Sequence, residues 1–262
     1  MPEGDTVWRT AQRLHQALAG QVLLRSDLRW PELSTYDFSG VSTIEVISRG
    51  KHLLHRLASG WTIHSHLRME GRWRIERTQW NSSSDPIRAV LVAPEYTAVG
   101  LRLGMLDVVR SSEEHSLVGH LGPDLLGPDW DLNLAVHNVQ SDPRPIGNAL
   151  LDQRNLAGIG TLWAAESLFA EGLSPWLPAS ELPPERLRAL IVRAQRFLVI
   201  NKAHAVQSST GERQAGRTSY VHGRAGRACR RCGTPVGVEP IGEAPQQRVM
   251  FFCPTCQPPP TM

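Results

Sequence analysis

No cysteine occurs before residue 229, and only two lysines, Lys51 and Lys202, stand among the 28 Lys and Arg residues. No apolar run approaches the roughly 18 residues that a membrane-spanning helix needs, which excludes that class. The N-terminus lacks a basic stretch followed by an apolar one, so a secretory leader is also excluded and a soluble, cytoplasmic protein is expected. Internal repeats and low-complexity tracts are missing too.

What is present is a chain of 262 residues with 41% hydrophobic and 20% charged residues. That length buries a sizeable core without disulfide help, in one large domain or two to three small ones. The net charge of +3 hides a division. Residues 1–201 carry 20 basic and 22 acidic side chains, whereas residues 202–262 carry 8 basic and 3 acidic ones. An Arg-rich, acid-poor terminal segment suits a polyanion partner, although a solvated tail has a similar composition.

All four cysteines fall in that basic segment, as Cys229-x2-Cys232 and Cys253-x2-Cys256. Each C-x2-C turn aims two sulfurs at one point, so the four thiolates can close a tetrahedron around a structural Zn²⁺. Two disulfides are the alternative, which a reducing cytosol disfavours. Gly233 and Pro235 suit a knuckle turn after the first pair, and residues 248–252 read as the second strand of a hairpin leading to the third ligand. A small zinc ribbon is expected there.

At the other end, Val7, Ala11, Leu14 and Leu18 recur at helical spacing, with Asp5 or Thr6 as N-cap and Gly20 as stop. Short β-rich runs follow at residues 43–48, 52–57, 61–67, 73–77, 89–93 and 104–109, with Ala58-Ser59-Gly60 as a hairpin turn. They predict a β-sandwich or flattened barrel. Helical texture returns at residues 147–152, 162–169 and 183–201, after a Gly- and Pro-rich stretch at 119–131 with linker composition. The fold class is therefore α+β and multidomain: residues 1–118 form a β-sandwich with a leading helix, 119–221 a helical domain and 222–262 the zinc ribbon.

Between two helical runs lies Gly158-Ile159-Gly160-Thr161. Such glycines let backbone N–H groups approach a phosphate beside a helix N-terminus, and a tight interhelical turn needs them equally. Pro2 follows Met1 and precedes Glu3. Removal of Met1 would leave a secondary amine able to attack a sugar C1′ and form an iminium, with a carboxylic acid beside it to protonate the departing group. A disordered start whose Glu3 complements the helix dipole is the plainer reading of the same residues.

Four segments in fixed order carry a resemblance: MPEGDT at the start, SRGKHLL at 48–54, GIGTLWAAESLF at 158–169, and HGRAGRACRRCG with QQRVMFFCPTCQ at the end. Together they resemble the formamidopyrimidine-DNA glycosylase and endonuclease VIII family over nearly the whole chain, and the opening is closer to the endonuclease VIII branch. The resemblance implies an N-terminal β-sandwich, a helix-two-turns-helix domain and a zinc finger. It implies a bifunctional base-excision DNA glycosylase and AP lyase acting by β,δ-elimination on damaged double-stranded DNA, as a monomer in the cytoplasm associated with the nucleoid. Oxidised pyrimidines are the expected substrates, with oxidised purines or non-catalytic binding of damaged DNA as alternatives.

Residue by residue, the resemblance makes Pro2 the Schiff-base nucleophile and Glu3 the proton donor. Lys51 becomes the lysine at the lesion phosphate and the β-elimination step, and Arg248 the zinc-finger arginine that clamps phosphate during δ-elimination. A guanidinium fork suits bidentate phosphate contact. Met69 aligns with the apolar wedge that fills the gap left by a flipped nucleotide. Where guanine-repair members place an Arg-Phe pair, this chain has Leu101-Arg102-Leu103, which leaves Arg102 as the DNA contact of that loop. Thr161 stands where the family usually has asparagine and keeps a hydroxyl for phosphate while losing the amide's donor pair. Glu166 matches a family glutamate of the catalytic cleft.

Overall fold

A computed structural model describes residues 2–77, 86–245 and 247–259. Met1, whose removal the reading above requires, lies outside the described residues. The chain divides into two compact units, residues 1–120 and residues 121–262, each with its own main apolar core.

In the first unit the spacing of Val7, Ala11, Leu14 and Leu18 produces helix α1 (Gly4–Leu18), and each of the four is at most 2% exposed. The helix begins before the expected Asp5–Thr6 cap: Glu3 occupies the N-cap position with φ −115° and ψ −177°, and Asp5 is a buried acid in the first turn. An acid there complements the positive end of the helix dipole. Eight strands follow among the described residues: β1 (Arg25–Leu28), β2 (Thr43–Arg49), β3 (His52–Leu57), β4 (Trp61–His66), β5 (Arg72–Glu76), β6 (Ile87–Val92), β7 (Thr97–Leu101) and β8 (Met105–Arg110). They make two four-stranded antiparallel sheets, ordered β1-β6-β7-β5 and β2-β3-β4-β8.

The sheets form a sandwich: Leu28, Trp73, Leu91 and Ala98 of one share a core with Val46, Leu53, Ile63 and Leu106 of the other and with the apolar face of α1. Strands β1 and β7 are additional to those expected from sequence. The expected turn between β3 and β4 closes on Gly60, whose φ of 77° is the left-handed conformation glycine supplies. On the other face of the second sheet, Arg56 reaches Glu45 and Glu114 at 2.7 Å each, and the Thr62 hydroxyl donates to Glu114 at 2.6 Å. Glu114 is the N-cap residue of the short helix α2 (His115–Val118). Its burial opposes ionisation, but the Arg56 and Thr62 donors hold its carboxyl below the usual range.

The second unit contains α3 (Leu132–Gln140), α4 (Ile146–Leu151), α5 (Thr161–Glu171) and α6 (Pro184–Asn201), followed by the hairpin of β9 (Gly237–Ile241) and β10 (Arg248–Phe252). The Asp131 carboxylate caps α3 by accepting from the backbone N–H groups of Asn133 and Leu134. Stretch 119–131, linker-like in composition, is partly held down, since Leu125 is 1% exposed within the helical core. That core also takes in the hairpin: Ile241, Met250 and Cys253 cluster with Ile146, Trp163, Phe169 and Leu190. A Cβ at Gly147 of α4 would sit 2.5 Å from the end of the Ile241 side chain and 3.1 Å from the Pro175 carbonyl, so glycine there lets the helix approach the ribbon without displacing that side chain. Beyond the last cysteine, the Gln257 amide accepts from the Cys253 N–H and donates to the Leu173 carbonyl at 2.8 Å, stitching the ribbon to the end of α5.

Candidate active site

Pro2 is half-buried and Glu3 is 0% exposed at the head of α1, where four backbone N–H groups point outward and the dipole is positive. The Glu3 carbonyl starts the helix by accepting from Val7 N–H at 2.9 Å. Lys51, half-buried, sits in the two-residue turn between β2 and β3. Gly50 precedes it with φ 57°, the conformation that a tight hairpin turn requires at its first central position.

Next to that turn is a histidine cluster that the residue-by-residue sequence reading missed. His52 pairs with His66 across β3 and β4, and His64 pairs with Asp107 across β4 and β8. His52 Nδ1 lies 2.8 Å from His64 Nε2, and His64 Nδ1 lies 2.9 Å from Asp107 Oδ2. Burial, reinforced by the neighbouring imidazoles and Arg68, pushes His52 down to about 3. Burial, then the charges of Arg68 and Lys51, pushes His66 down to about 4. A legible signal existed: His64-x-His66 at period 2 on one strand of a hairpin stands opposite His52 on the other.

After β4 the chain makes a tight loop that carries Met69, 66% exposed and therefore no part of the core. The loop is held by Arg68, whose N–H donates to His66 Nδ1 at 2.9 Å, and by Gly104 N–H on the His66 carbonyl at 3.0 Å. Arg102 reaches Glu70 at 2.6 Å. Arg68 and Arg102 have φ of 53° and 48°, the only non-glycine residues with positive φ among those described. Arg68 immediately precedes the exposed Met69 and Arg102 is bonded to Glu70 immediately after it, the strained backbone expected where a loop must present a side chain. An added Cβ on Gly104 would meet the Arg68 side chain at 2.2 Å, so that glycine is demanded by the close approach of the two loops; one on Gly71 would meet the Leu67 carbonyl of its own turn at 2.4 Å and the Arg102 carbonyl at 3.0 Å. The first unit thus brings Lys51, His66, Met69 and Arg102 into one continuous stretch.

The second unit holds the remaining site residues. Thr161 is the first residue of α5, 5% exposed, behind an N-cap at Gly160. The Gly158–Gly160 turn is organised by Gln153, whose amide accepts from Gly158 N–H and donates to the carbonyls of Ile159 and Leu151, all at 3.0 Å. Glu166 is 0% exposed. Its carboxylate accepts from the backbone N–H groups of Tyr220 (2.9 Å), Val221 (2.9 Å) and His222 (2.7 Å) and from the Ser209 hydroxyl. It therefore ties the loop after α6 to α5, a role that no local sequence signal announces. Arg248 is exposed at the start of β10.

The sulfurs of Cys229, Cys232, Cys253 and Cys256 all lie within 4.8 Å of one another, with Cys229–Cys256 at 4.0 Å and Cys232–Cys253 at 3.4 Å. Four thiolates around a tetrahedral ion at Zn–S ≈ 2.3 Å would be spaced about 3.8 Å, so the cluster fits a metal ion. Among the described residues no other group gathers three ligand atoms in this way.

A helix-led β-sandwich opening on Pro-Glu, with a helical unit closed by a four-cysteine ribbon, is the layout of one class of base-repair glycosylase. Residues 1–104 match the formamidopyrimidine-DNA glycosylase N-terminal domain and residues 121–214 the H2TH domain of the same proteins, and the chain belongs to the formamidopyrimidine-DNA glycosylase and endonuclease 8 family. It is 50% identical to a probable endonuclease 8 2 of Streptomyces coelicolor, covering 98% of this chain and 94% of that one. It is 45% identical to the DNA-(apurinic or apyrimidinic site) lyase Nei2 of Mycolicibacterium smegmatis, covering 98% and 99%. Among solved structures, Lactococcus lactis formamidopyrimidine-DNA glycosylase bound non-covalently to DNA containing an AP site shares the fold with a TM-score of 0.82, at 21% identity over 98% of this chain and 100% of that one. No helix among the described residues is long and apolar enough to cross a membrane.

Proposed function

We propose that this chain is a base-excision DNA glycosylase with AP lyase activity on damaged double-stranded DNA, with Pro2 as nucleophile. The observation that carries the reading is the head of α1, where Pro2 adjoins a fully buried Glu3 in a chain that matches its relatives over 98% of its length. With Met1 removed, the positive end of α1 disfavours the ammonium form of Pro2 and leaves a lone pair on its nitrogen. That nitrogen attacks C1′ of the damaged nucleotide. The new C–N bond forms as the bond to the base breaks, and the base leaves with a proton delivered by Glu3. Pro2, now bonded to C1′, gives its N–H proton to the Glu3 carboxylate, which passes it to O4′ as the sugar opens, leaving an iminium between Pro2 and C1′. The iminium acidifies C2′–H, and loss of that proton expels the 3′ phosphate; a second elimination expels the 5′ phosphate. Hydrolysis then frees Pro2.

Lys51 holds the phosphate beside the lesion, Arg248 a second one, and Thr161 offers its hydroxyl at the head of α5. Met69, exposed on a loop braced by two left-handed arginines, has the placement of a wedge that replaces the flipped nucleotide in the stack. Arg102 reaches DNA from the adjoining loop. Cys229, Cys232, Cys253 and Cys256 would hold a Zn²⁺ that secures the hairpin carrying Arg248, a structural role apart from the chemistry at Pro2. The resemblance of the opening Pro2-Glu3-Gly4-Asp5-Thr6 to the endonuclease VIII branch favours oxidised pyrimidines over oxidised purines as substrates.

The test is borohydride reduction of processed protein on abasic and thymine-glycol duplexes. A trapped covalent complex is expected, sharply reduced in Pro2→Gly, while Glu3→Gln loses base excision and keeps binding. Binding without trapping would make the chain a damage binder. Equal trapping by a preparation that retains Met1, verified by mass, would make Lys51 the nucleophile.

A further inference from the structure

We propose that His64 and His52, anchored by Asp107, are positioning residues that fix the β2–β3 turn presenting Lys51. The proposal rests on the reading of Lys51 given above. Register places the three side chains together: His64 is cross-strand from Asp107 and diagonal to His52, all on one face of the β2-β3-β4-β8 sheet. The chain of contacts is short, with Asp107 Oδ2 to His64 Nδ1 at 2.9 Å and His64 Nε2 to His52 Nδ1 at 2.8 Å. The two rings stack at 5.0 Å and 21°.

Elimination assigns the protons. An ionised carboxylate only accepts, so His64 carries hydrogen on Nδ1 and, as a neutral ring, accepts at Nε2. His52 must then donate from Nδ1, which leaves its Nε2 bare. His66 accepts from the Arg68 N–H at Nδ1, so its proton is on Nε2. One carboxylate thus sets the tautomer and the ring plane of an imidazole two strands away. His52 is the residue that closes the turn, opposite Arg49 and covalently next to Lys51.

The groups facing His52 explain why neutrality matters. They are His64 and His66 from β4, His120 with its ring 6.4 Å away, and Arg68 from the loop after β4, while the charge of Lys51 acts on the neighbouring His66; Asp107 is the carboxylate of the set, one imidazole removed. A charged His52 would compete with Lys51 for the same phosphate and repel it across one residue of chain. Burial and these neighbours keep His52 and His66 neutral, with pKa values near 3 and 4. Side chains meant only to fill this face could be apolar, as Leu54 is on the same strand at 1% exposure. A buried polar chain is stabilising only when every member is bonded, and then it specifies one geometry.

The test uses full-length, Met1-processed, zinc-loaded protein. Asp107→Asn alters one atom of a side chain that is 43% exposed, and His64→Leu removes the relay while filling its volume. Nitrogen-15 NMR of the imidazoles reads the tautomers directly: protons on Nδ1 of His52 and His64 and on Nε2 of His66 are expected, with His52 changed in Asp107→Asn. Single-turnover lyase rates should fall on the order of tenfold to a hundredfold, the scale of a reacting group displaced by about an ångström, with duplex affinity little changed. Amide exchange at Lys51 should accelerate in parallel. Tautomers other than these, or a wild-type lyase rate in a folded Asp107→Asn protein whose Lys51→Ala counterpart is impaired, would overturn the relay alone. A Lys51→Ala protein with an undiminished lyase rate would overturn the role of Lys51 and the relay with it.

Discussion

Glu166→Gln is a sharp structural perturbation, because it exchanges one buried oxygen for an NH2 group without altering shape. In the wild type both carboxylate oxygens accept two bonds each: Val221 and His222 N–H on Oε1, Tyr220 N–H and the Ser209 hydroxyl on Oε2. Glutamine must point two of its own hydrogens at donors on one side. Hydrogen bonds to a charged group contribute about 1.5–3 kcal/mol each, and a buried donor left without an acceptor costs about 1–3 kcal/mol. Rotation of the amide saves the better pair, so the net loss is on the order of 3 kcal/mol. It falls on the link between α5 and residues 209–222, separated by 43 to 56 positions in sequence. Since 1.4 kcal/mol is a factor of ten, amide exchange at Tyr220–His222 should accelerate roughly a hundredfold while α1 and the sandwich keep wild-type protection. Hydrogen exchange read by mass spectrometry measures both. Unchanged protection at residues 220–222 would mean that the backbone there is held by other contacts and that Glu166 is incidental.

Chelation should unfold the ribbon and, because Ile241, Met250 and Cys253 belong to the helical core, lower the stability of residues 121–262 as a whole, leaving residues 1–120 cooperative; separate melting of the two units checks this. Met69→Ala should leave stability within about 0.5 kcal/mol, as befits a side chain 66% exposed, yet slow base excision more than cleavage of preformed abasic sites. Equal slowing on both substrates would assign Met69 a packing role. Arg248→Ala should weaken binding to lesion and undamaged duplex alike and flatten the salt dependence by about one unit, and an unchanged slope would remove Arg248 from the interface. Burial pushes His55 down to about 4, so between pH 6.5 and 4 the unfolded chain binds a proton that the folded one refuses. Stability should therefore fall with acidification, by about 1.4 kcal/mol per pH unit for this residue and about 3 kcal/mol in all. Urea titrations of His55→Gln should show a loss smaller by that slope.

Local pattern made α1, the hairpin of β3 and β4, and the four cysteines legible, because each is set by spacing within a few residues. Strand β1 escaped because Arg-Ser-Asp-Leu buries only its leucine. Strand β7 escaped for the opposite reason: all five residues of Thr-Ala-Val-Gly-Leu are buried, so no alternation survives, and its glycine reads as a break. Helix α3 was hidden behind a Gly- and Pro-rich approach, although Asp131 is the cap that announces it. For the candidate site, resemblance of motifs named Pro2, Glu3, Lys51, Met69 and Arg248, but it could not name what holds them. Asp107 lies 43 residues from His64, and the anchors of Glu166 lie as far or farther, so these partnerships exist only once strands and loops are in place.

The ribbon's share in the helical core bears on the order in which the chain can acquire its structure during synthesis. The sandwich has its last strand when Arg110 emerges, so it can complete its core while the rest is still being made. The helical unit cannot. Trp163, Phe169 and Leu190 await Met250 and Cys253, and the Gln257 side chain that ties the ribbon to Leu173 comes nearly last. A nascent chain stalled after α6 would expose an incomplete apolar face, and a premature stop within the last 40 or so residues would cost the whole second unit rather than a terminal ornament.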